Sequence, residues 1–301
     1  MAATSPRADL AAPADAPSPA PAPAAGPAAA DGPPPPGRAS AERRAALLIR
    51  AGRATDALDP VAAEVPVALV YRGQALAVMM ATPADLEDFA RGFTVSEGIA
   101  APDEIGTVAV ADMGLGFEIE VEVPPAAAER LADRRRSVLG GTACGLCGVK
   151  GLEQAVRALP RCESALAATP EAIARAFAKL SAWQPGHRRT GGMHAAALAT
   201  PQGEIVLARE DVGRHNALDK LIGAASAAGL DPGRHLLLLT SRCSAEMVQK
   251  AAMAGLPLIA AVSAPTTLAI ELATGSGQTL LAFARGDAVT VYAHPQRIRL
   301  A

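Results

Sequence analysis

Two cysteines separated by two residues, Cys144 and Cys147, are the side chains in this sequence best suited to chemistry. They lie in a glycine-rich run that also contains arginines at 134–136 and Lys150. A nearby positive charge favours thiolate over thiol, and thiolate is the form that attacks sulfur or binds metal. Glycine permits backbone conformations closed to other residues, so we predict a mobile loop over residues 134–151. The pattern indicates sulfur chemistry on a loop that can approach another molecule.

Structural zinc sites also use this cysteine spacing, but they need four ligands, usually with a second close pair. The other two cysteines, Cys162 and Cys243, stand far apart in the sequence. The histidines His187 and His194 are not at zinc-finger spacing. We therefore favour reactive thiols over structural zinc or a structural disulfide, and we expect no bound metal. We interpret Cys162 and Cys243 as ordinary small residues. Cys243 has an activated thiol as its second interpretation, because it lies at a predicted helix start.

Polar segments lie beside several predicted strands. Residues 240–242 and 263–267 each follow a short apolar run, and ligands bind at the carboxyl ends of strands in open α/β sheets. We therefore predict one shared pocket at that edge. The polar segment 209–216 lies at the start of a predicted helix. Its residues either bind an anionic ligand or form a capping and salt-bridge cluster. His194 follows two glycines and is either a ligand-binding residue or a structural histidine.

The first half of the chain has the pattern of a small α+β unit. Alternating apolar residues predict a β-hairpin with strands at 65–71 and 75–80, and a further strand at 117–123. Thr82 and Pro83 predict a helix start between them, with Thr82 as the N-cap. The apolar residues that follow predict one buried helical face, made of Leu86, Phe89, Ala90 and Phe93.

Beyond the cysteine segment, predicted helices and strands alternate. The helices lie at about 151–159, 170–181, from 211, 244–254 and 265–273, and the strands at 195–199, 204–208, 236–240, 257–262, 279–284 and 288–293. The run at 236–240 is continuously apolar, which is typical of a strand buried on both faces. This alternation predicts an α/β sheet with helical crossovers.

Composition sets the domain organisation and excludes several functions. Residues 1–38 hold 11 of the 25 prolines and no Ile, Val or aromatic residue, so we predict a disordered tail. We expect an N-terminal α+β domain at 39–133 and an α/β domain at 152–301. The net charge of −2 argues against general nucleic-acid binding. We expect neither a membrane span nor a secretory signal, and we predict a cytoplasmic protein.

Together these segments resemble the FdhD family, sulfur carriers required for formate dehydrogenase activity. The matching segments run in order along the chain, at 64–71, 93–99, 144–148, 210–215, 246–250, 262–267 and 290–297. The resemblance implies that a cysteine desulfurase passes sulfur as a persulfide to Cys144, with Cys147 as its neighbour. It further implies sulfurtransferase-type delivery to the molybdenum of the bis-molybdopterin guanine dinucleotide cofactor, for apo formate dehydrogenase.

The resemblance also implies a cofactor-binding segment, a fold and an assembly. The segment is made of Phe283, Ala284, Arg285, Gly286, Asp287 and Ala288. Phosphate and guanine groups would also suit Arg214, Arg242 and His194, which the sequence places at strand ends and helix starts. The implied C-terminal fold is similar to cytidine deaminase, and the implied assembly is a homodimer.

Two other functions compete with this interpretation. A non-catalytic chaperone that escorts the molybdenum cofactor would not need its thiols. A zinc-dependent deaminase would need His-x-Glu followed downstream by Pro-Cys-x-x-Cys. Here Ala195 and Ala196 follow His194, and Ala143 stands where that proline belongs. The deaminase is therefore the least favoured of the three.

Overall fold

A computed structural model describes residues 38–127, 130–131 and 158–300 of the chain. The cysteine segment at 134–151, residues 1–37 and most of the helix predicted at 151–159 lie outside the described residues. Arg38, which the sequence assigned to the tail, forms a salt bridge with Asp112 at 3.2 Å and lies over the Phe117 ring. The domain boundaries given by the sequence stay a prediction.

The first half of the chain contains two separate sheets and one helix. Its elements are β1 (Ala41–Arg50), β2 (Arg53–Ala62), β3 (Val65–Tyr71), β4 (Gln74–Ala81), α1 (Leu86–Ser96), β5 (Val108–Asp112) and β6 (Phe117–Val121). Strands β3 and β4 pair antiparallel, which confirms the predicted hairpin. They belong to a four-stranded sheet of order β4-β3-β6-β5. Strands β1 and β2, which the sequence did not predict, pair only with each other among the described residues.

Helix α1 covers the four-stranded sheet with the face that its sequence predicts. Leu86, Phe89, Ala90 and Phe93 are all buried in one cluster with that sheet. The predicted helix start at Thr82 is wrong, because α1 begins at Leu86. The Thr82 backbone instead donates to Asp211 Oδ2 at 2.9 Å and accepts from Lys220 Nζ at 2.9 Å. These long-range bonds replace the local cap that the sequence pattern indicated.

The second half of the chain forms a six-stranded α/β sheet. Its elements are α2 (Pro170–Leu180), α3 (Pro185–Thr190), β7 (His194–Ala199), β8 (Ile205–Asp211), α4 (Arg214–Ala227), β9 (Leu236–Leu239), α5 (Ala245–Met253), β10 (Leu258–Ala261), α6 (Thr267–Ser276), β11 (Thr279–Arg285) and β12 (Ala288–Ala293). The strand order is β12-β11-β10-β9-β7-β8, with β9, β10 and β11 parallel and the other pairs antiparallel. The predicted α/β class is confirmed.

Helices cover both faces of this sheet. Leu237 and Ile259 pack with helices α4, α5 and α6, whereas Leu236 and Leu258 pack with α2 on the other face. All four residues of β9 are buried, which confirms the strand predicted at 236–240. None of the described helices combines the length and the apolar character needed to cross a membrane.

The two halves are joined where α1 crosses α4. A Cβ atom on Gly92 would lie 1.6 Å from the Asp219 carbonyl oxygen, so the two backbones are in direct contact. Beside this crossing, Lys250 Nζ lies 2.8 Å from Asp219 Oδ2 and 3.0 Å from Glu97 Oε1. Burial alone would lower the pKa of Lys250, but the two carboxylates raise it above its usual value. The ammonium therefore stays charged and holds α1, α4 and α5 together.

Candidate functional site at the carboxyl edge of the six-stranded sheet

The polar segments predicted to share one pocket lie at one edge of the sheet. Strands β9, β10 and β11 run parallel, so their carboxyl ends meet there and lead into residues 240–242, 263–267 and 283–288. Strand β7 runs antiparallel to β9 and therefore begins at the same edge with His194. The topology brings together the polar segments that the sequence placed beside these strands. Their role in binding stays a prediction.

Backbone hydrogen bonds connect the three strand-end segments. Cys243 N donates to Ala264 O at 3.2 Å, and Thr266 N donates to Cys243 O at 3.1 Å. Phe283 N in turn donates to Ser263 O at 3.3 Å. Because backbone hydrogen bonds join each of these segments to the next, the three segments lie side by side along the edge.

The segment at 283–288 is a distorted strand end followed by a tight turn. The register of β11 against β12 shifts between Ala282 and Arg285, and Phe283 has a φ of 53°. This bulge leaves the Phe283 ring exposed, while Ala284 is buried in the core on the α2 face. A ligand at this edge could therefore meet Ala284 only through its backbone. Gly286 completes the turn with a φ of 59°.

Arg285 is anchored at the same edge. Its Nε donates to the Val262 carbonyl oxygen at 2.9 Å, at the end of β10, and the side chain is otherwise exposed. This bond orients the guanidinium but does not involve its two terminal nitrogens. A guanidinium held by Nε can present its terminal nitrogens to a phosphate or carboxylate.

The start of α4 brings a second cationic group to the edge. Arg214 is the first residue of α4, and its Nε is enclosed without a hydrogen-bond partner among the described residues. A buried donor without a partner is uncommon, and a ligand is one way to satisfy it. His215 follows, and its Nε2 lies 2.8 Å from Glu246 Oε2 on α5. Ser244 Oγ donates to the same carboxylate oxygen at 3.1 Å.

Glu246 is held as a carboxylate by these neighbours. Burial alone would raise the pKa of Glu246, but the hydrogen bond and charge of His215, with Ser244 and Arg214, bring it below its usual value. The sequence analysis missed this contact, because His215 and Glu246 are 31 residues apart. The signal that could have found it was an acidic residue in the first turn after Ser244, at the carboxyl end of a buried strand.

His194 is the first residue of β7 and lies at the same edge of the sheet. Its register partner is Asp211 at the end of β8. Burial lowers the pKa of His194, and the nearby charge of Arg214 lowers it further. The imidazole is therefore neutral near pH 7 and can serve a ligand as a hydrogen-bonding group rather than as a cation.

The low pKa of His194 makes the stability of the protein depend on pH. The unfolded chain binds a proton at His194 near pH ~6.5, whereas the folded protein binds it only at lower pH. The free energy of unfolding should therefore fall as the pH drops below that value. Denaturant unfolding of wild type and His194→Gln across this range tests it, because the variant should show a shallower decline. Equal slopes in the two proteins would contradict this assignment.

Segment 209–216 contains the capping and salt-bridge cluster that was one of its two predicted roles, and its other role, binding an anionic ligand, stays a prediction. Asp211 accepts hydrogen bonds from Gly213 N at 2.8 Å and Asn216 Nδ2 at 3.1 Å, and it pairs with buried Lys220 at 2.7 Å. Arg209 donates to the Asp88 carboxylate on α1 at 2.9 Å. These residues are structural. His215 instead contacts Glu246 on α5, and Arg214 begins α4 at the edge of the sheet.

Of the two described cysteines, Cys243 is not suited to catalysis. Cys243 is fully buried in the core, and burial raises the pKa of its thiol to about 12. A neutral, enclosed thiol is inert, so its interpretation as an activated thiol is wrong. Cys162 is half-buried. Among residues 38–127, 130–131 and 158–300, no group of three or more metal-ligating side chains comes together. Cys144 and Cys147 lie outside the described residues.

The arrangement at the edge suits an anionic ligand with aromatic or polar groups. Helices α4, α5 and α6 all begin there, and helix N-termini favour negative charge. Arg214, Arg242 and Arg285 add positive charge, and Phe283 adds an exposed ring. Guanidinium groups can bind phosphates through two parallel hydrogen bonds.

Comparisons with a family model and with known proteins all point to one family. A model of the FdhD/NarQ family matches residues 62–299. The protein named Sulfur carrier protein FdhD in Xanthomonas campestris pv. campestris is 49% identical over 269 residues, covering 89% of this chain and 96% of the relative. The protein of the same name in Bordetella petrii is 44% identical over 270 residues, covering 89% of this chain and 97% of the relative.

A solved structure has the same fold. It is the crystal structure of a protein from Desulfotalea psychrophila that carries the provisional name formate dehydrogenase accessory protein. It is 25% identical to this chain, with a TM-score of 0.68, and the match covers 87% of this chain and all of that one.

Proposed function

Because the chain belongs to the FdhD/NarQ family, we propose that it is a sulfur carrier that serves formate dehydrogenase. The observation that carries this proposal is the match to relatives named as sulfur carriers. The match covers 89% of this chain and at least 96% of each of the two relatives. In this proposal a cysteine desulfurase supplies the sulfur. The acceptor is the molybdenum of the bis-molybdopterin guanine dinucleotide cofactor destined for apo formate dehydrogenase.

The first step loads sulfur onto Cys144. The Cys144 thiolate attacks the outer sulfur of the persulfide on the desulfurase, forming a new S–S bond. The S–S bond of the donor breaks, and its cysteine leaves as a thiolate. No external oxidant or reductant is needed, because the sulfur stays in a persulfide. The arginines at 134–136 and Lys150 support this step by favouring the attacking thiolate.

The second step releases sulfur as sulfide and uses Cys147. The Cys147 thiolate attacks the inner sulfur of the Cys144 persulfide, which breaks the persulfide bond and releases sulfide to the metal. A disulfide between Cys144 and Cys147 remains, and a cellular dithiol must reduce it before the next cycle. The two-residue spacing favours this reaction, since dithiols at that spacing readily form a disulfide.

The cofactor would be held at the carboxyl edge of the six-stranded sheet. The enclosed Nε of Arg214 and the three helix N-termini fit a ligand with a diphosphate. Arg285, Arg242 and neutral His194 supply further donors, and the exposed Phe283 ring supplies a face on which a guanine base can stack. When bound, the cofactor supplies the molybdenum that accepts sulfur. The protein's own part is to bind and orient its nucleotide end.

GDP is the simplest probe of this binding, since it carries the same base and diphosphate. GDP should raise the melting temperature, because a ligand specific for the native state stabilises it. Loss of a charge-assisted hydrogen bond at Arg285→Ala should weaken GDP binding by about tenfold or more. Arg285→Lys should recover only part of this loss, because lysine cannot make two parallel hydrogen bonds. Isothermal titration calorimetry measures the dissociation constant of GDP for wild type, Arg285→Ala and Arg285→Lys.

Arg234 provides the matched control for this titration. It is an exposed arginine that precedes β9, at the opposite edge of the sheet. Arg234→Ala should bind GDP as wild type does. If wild type fails to bind GDP, or if Arg285→Ala and Arg234→Ala bind equally well, the nucleotide site is not at this edge.

A cofactor escort without sulfur chemistry is the alternative. Intact mass after incubation with a cysteine desulfurase and cysteine separates the two functions. A carrier gains the mass of one sulfur atom, which a reductant removes. An unchanged mass under conditions in which the desulfurase transfers sulfur to another acceptor would favour the escort.

A further inference from the structure

The start of helix α4 leaves several hydrogen-bond donors free at the carboxyl edge of the six-stranded sheet. Gly213 precedes the helix, and no described side chain caps its first turn. The first turn also contains no acidic residue. Hydrogen bonding within the helix starts where Ala217 N donates to Gly213 O. The earlier backbone N–H groups have no partner inside the helix, so an anion can accept their hydrogen bonds.

Two adjacent side chains of this turn also have polar atoms that no described residue satisfies. Arg214 Nε is enclosed and forms no hydrogen bond with a described residue. His215 is only 7% exposed, and its Nε2 lies 2.8 Å from Glu246 Oε2. Its other ring nitrogen, Nδ1, has no hydrogen bond to a described residue. Polar groups in such enclosed places are normally hydrogen-bonded, so both atoms are available to a ligand.

Glu246 determines which ring nitrogen of His215 carries the hydrogen when the ring is neutral. Burial alone would raise the pKa of Glu246, but its hydrogen bond with His215 brings the pKa below its usual value. Glu246 is therefore a carboxylate, which can only accept hydrogen bonds, so Nε2 carries the hydrogen. Nδ1 is then left with a lone pair, which repels a phosphate oxygen. A proton on Nδ1 turns this nitrogen into a donor.

We propose that His215 takes up a proton at Nδ1 when the anionic part of a ligand binds at the start of α4. This inference rests on the proposed function, because it concerns the same nucleotide site. The proton comes from the solvent, and no bond between heavy atoms forms or breaks. The imidazolium donates from Nδ1 to a phosphate oxygen and from Nε2 to Glu246. Glu246 is a positioning residue, since it acts on the ligand through His215.

The charged groups around His215 both favour and oppose this proton. The Glu246 carboxylate on α5 favours the imidazolium, and the adjacent Arg214 guanidinium on α4 opposes it. Asp211, at the end of β8, is already paired with buried Lys220. Among the described residues of α1, none forms a hydrogen bond or ion pair with His215. A phosphate bound beside Arg214 adds negative charge, which favours the imidazolium.

His194, on β7, is the other histidine at this edge, and it is less suited to take up the proton. Burial lowers the pKa of His194, and the charge of Arg214 lowers it further. Its register partner is Asp211, whose carboxylate is paired with Lys220. No described carboxylate forms a hydrogen bond with the His194 ring, whereas Glu246 contacts His215 directly. The proton is therefore assigned to His215.

Isothermal titration calorimetry with GDP, in buffers of different ionisation enthalpy, tests the proposal. Near pH ~8 the phosphates of GDP are almost fully ionised and an ordinary histidine is mostly neutral, so any proton taken up enters the protein. The apparent binding enthalpy should then vary with the buffer, with an uptake of about one proton per GDP. The dissociation constant should rise by up to about tenfold for each unit of pH above neutrality.

Three variants assign the proton. His215→Gln should abolish the uptake and leave an affinity that hardly depends on pH. Glu246→Gln keeps the shape of the side chain but removes its charge, so it should reduce the uptake and move the pH dependence to lower pH. A merely structural role of Glu246 would change the affinity equally at every pH. His235→Gln is the matched control, because His235 precedes β9 at the opposite edge of the sheet. It should take up the proton as wild type does.

The outcomes separate this inference from the nucleotide site itself. GDP binding by wild type without proton uptake would overturn the inference and leave the nucleotide site in place. Uptake that persists in folded His215→Gln but disappears in His194→Gln would also overturn it, because the proton would then belong to β7. If His215→Gln does not fold by circular dichroism, wild type and Glu246→Gln decide the result. A wild type that binds no GDP would overturn both the nucleotide site and the inference.

Discussion

Replacement of Cys144 by alanine is expected to abolish the support of formate dehydrogenase by this protein. The proposed transfer needs a thiolate that can hold sulfur as a persulfide, and alanine offers no atom for that bond. Formate dehydrogenase activity in a strain that lacks its own sulfur carrier is the measurement. In the purified variant, the mass gain after incubation with desulfurase and cysteine should be absent. The effect should be complete loss rather than a reduced rate.

Cys162→Ala is the matched control, because it removes a half-buried thiol that the proposed chemistry does not use. It should restore the strain as wild type does. Cys147→Ser adds a second comparison, since it should still gain one sulfur at Cys144 but fail to release it as sulfide. Full restoration by Cys144→Ala would remove that residue from the mechanism.

Replacement of Gly92 by alanine should destabilise the protein strongly, although it adds only one methyl group. The new Cβ would lie 1.6 Å from the Asp219 carbonyl oxygen, so α1 and α4 must separate. Overpacking of this kind costs about 3 kcal/mol or more when backbone blocks backbone. For a chain of this size, that loss lowers the melting temperature by about 6–12 °C. Differential scanning calorimetry of the two proteins measures it.

Gly275 supplies the control for this substitution. It lies near the end of α6, and a Cβ atom there would have no heavy atom within 4 Å. Gly275→Ala should be neutral or should stabilise the protein by about 0.5–1 kcal/mol, because alanine is the better helix former. Similar melting temperatures for Gly92→Ala and wild type would mean that the helix crossing is looser than the structure indicates.

Local patterns in the sequence predicted much of the fold. The hairpin of β3 and β4, the buried face of α1 and the alternation of helices and strands from α2 to β12 all follow from hydrophobic periodicity. The convergence of polar segments at one sheet edge also followed, because parallel strands end on the same side. These features depend on residues close in sequence or on a general rule of topology. These features can therefore be predicted from a single sequence.

The tertiary structure alone decided the features that depend on distant residues. Helix α1 begins at Leu86 rather than at Thr82, because Asp211 and Lys220, more than a hundred residues later, bind the Thr82 backbone. The pairing of His215 with Glu246 and the complete burial of Cys243 likewise arise only when the strands are placed side by side. Their energies come from contacts between chain segments far apart in sequence, so no local pattern of residues encodes them.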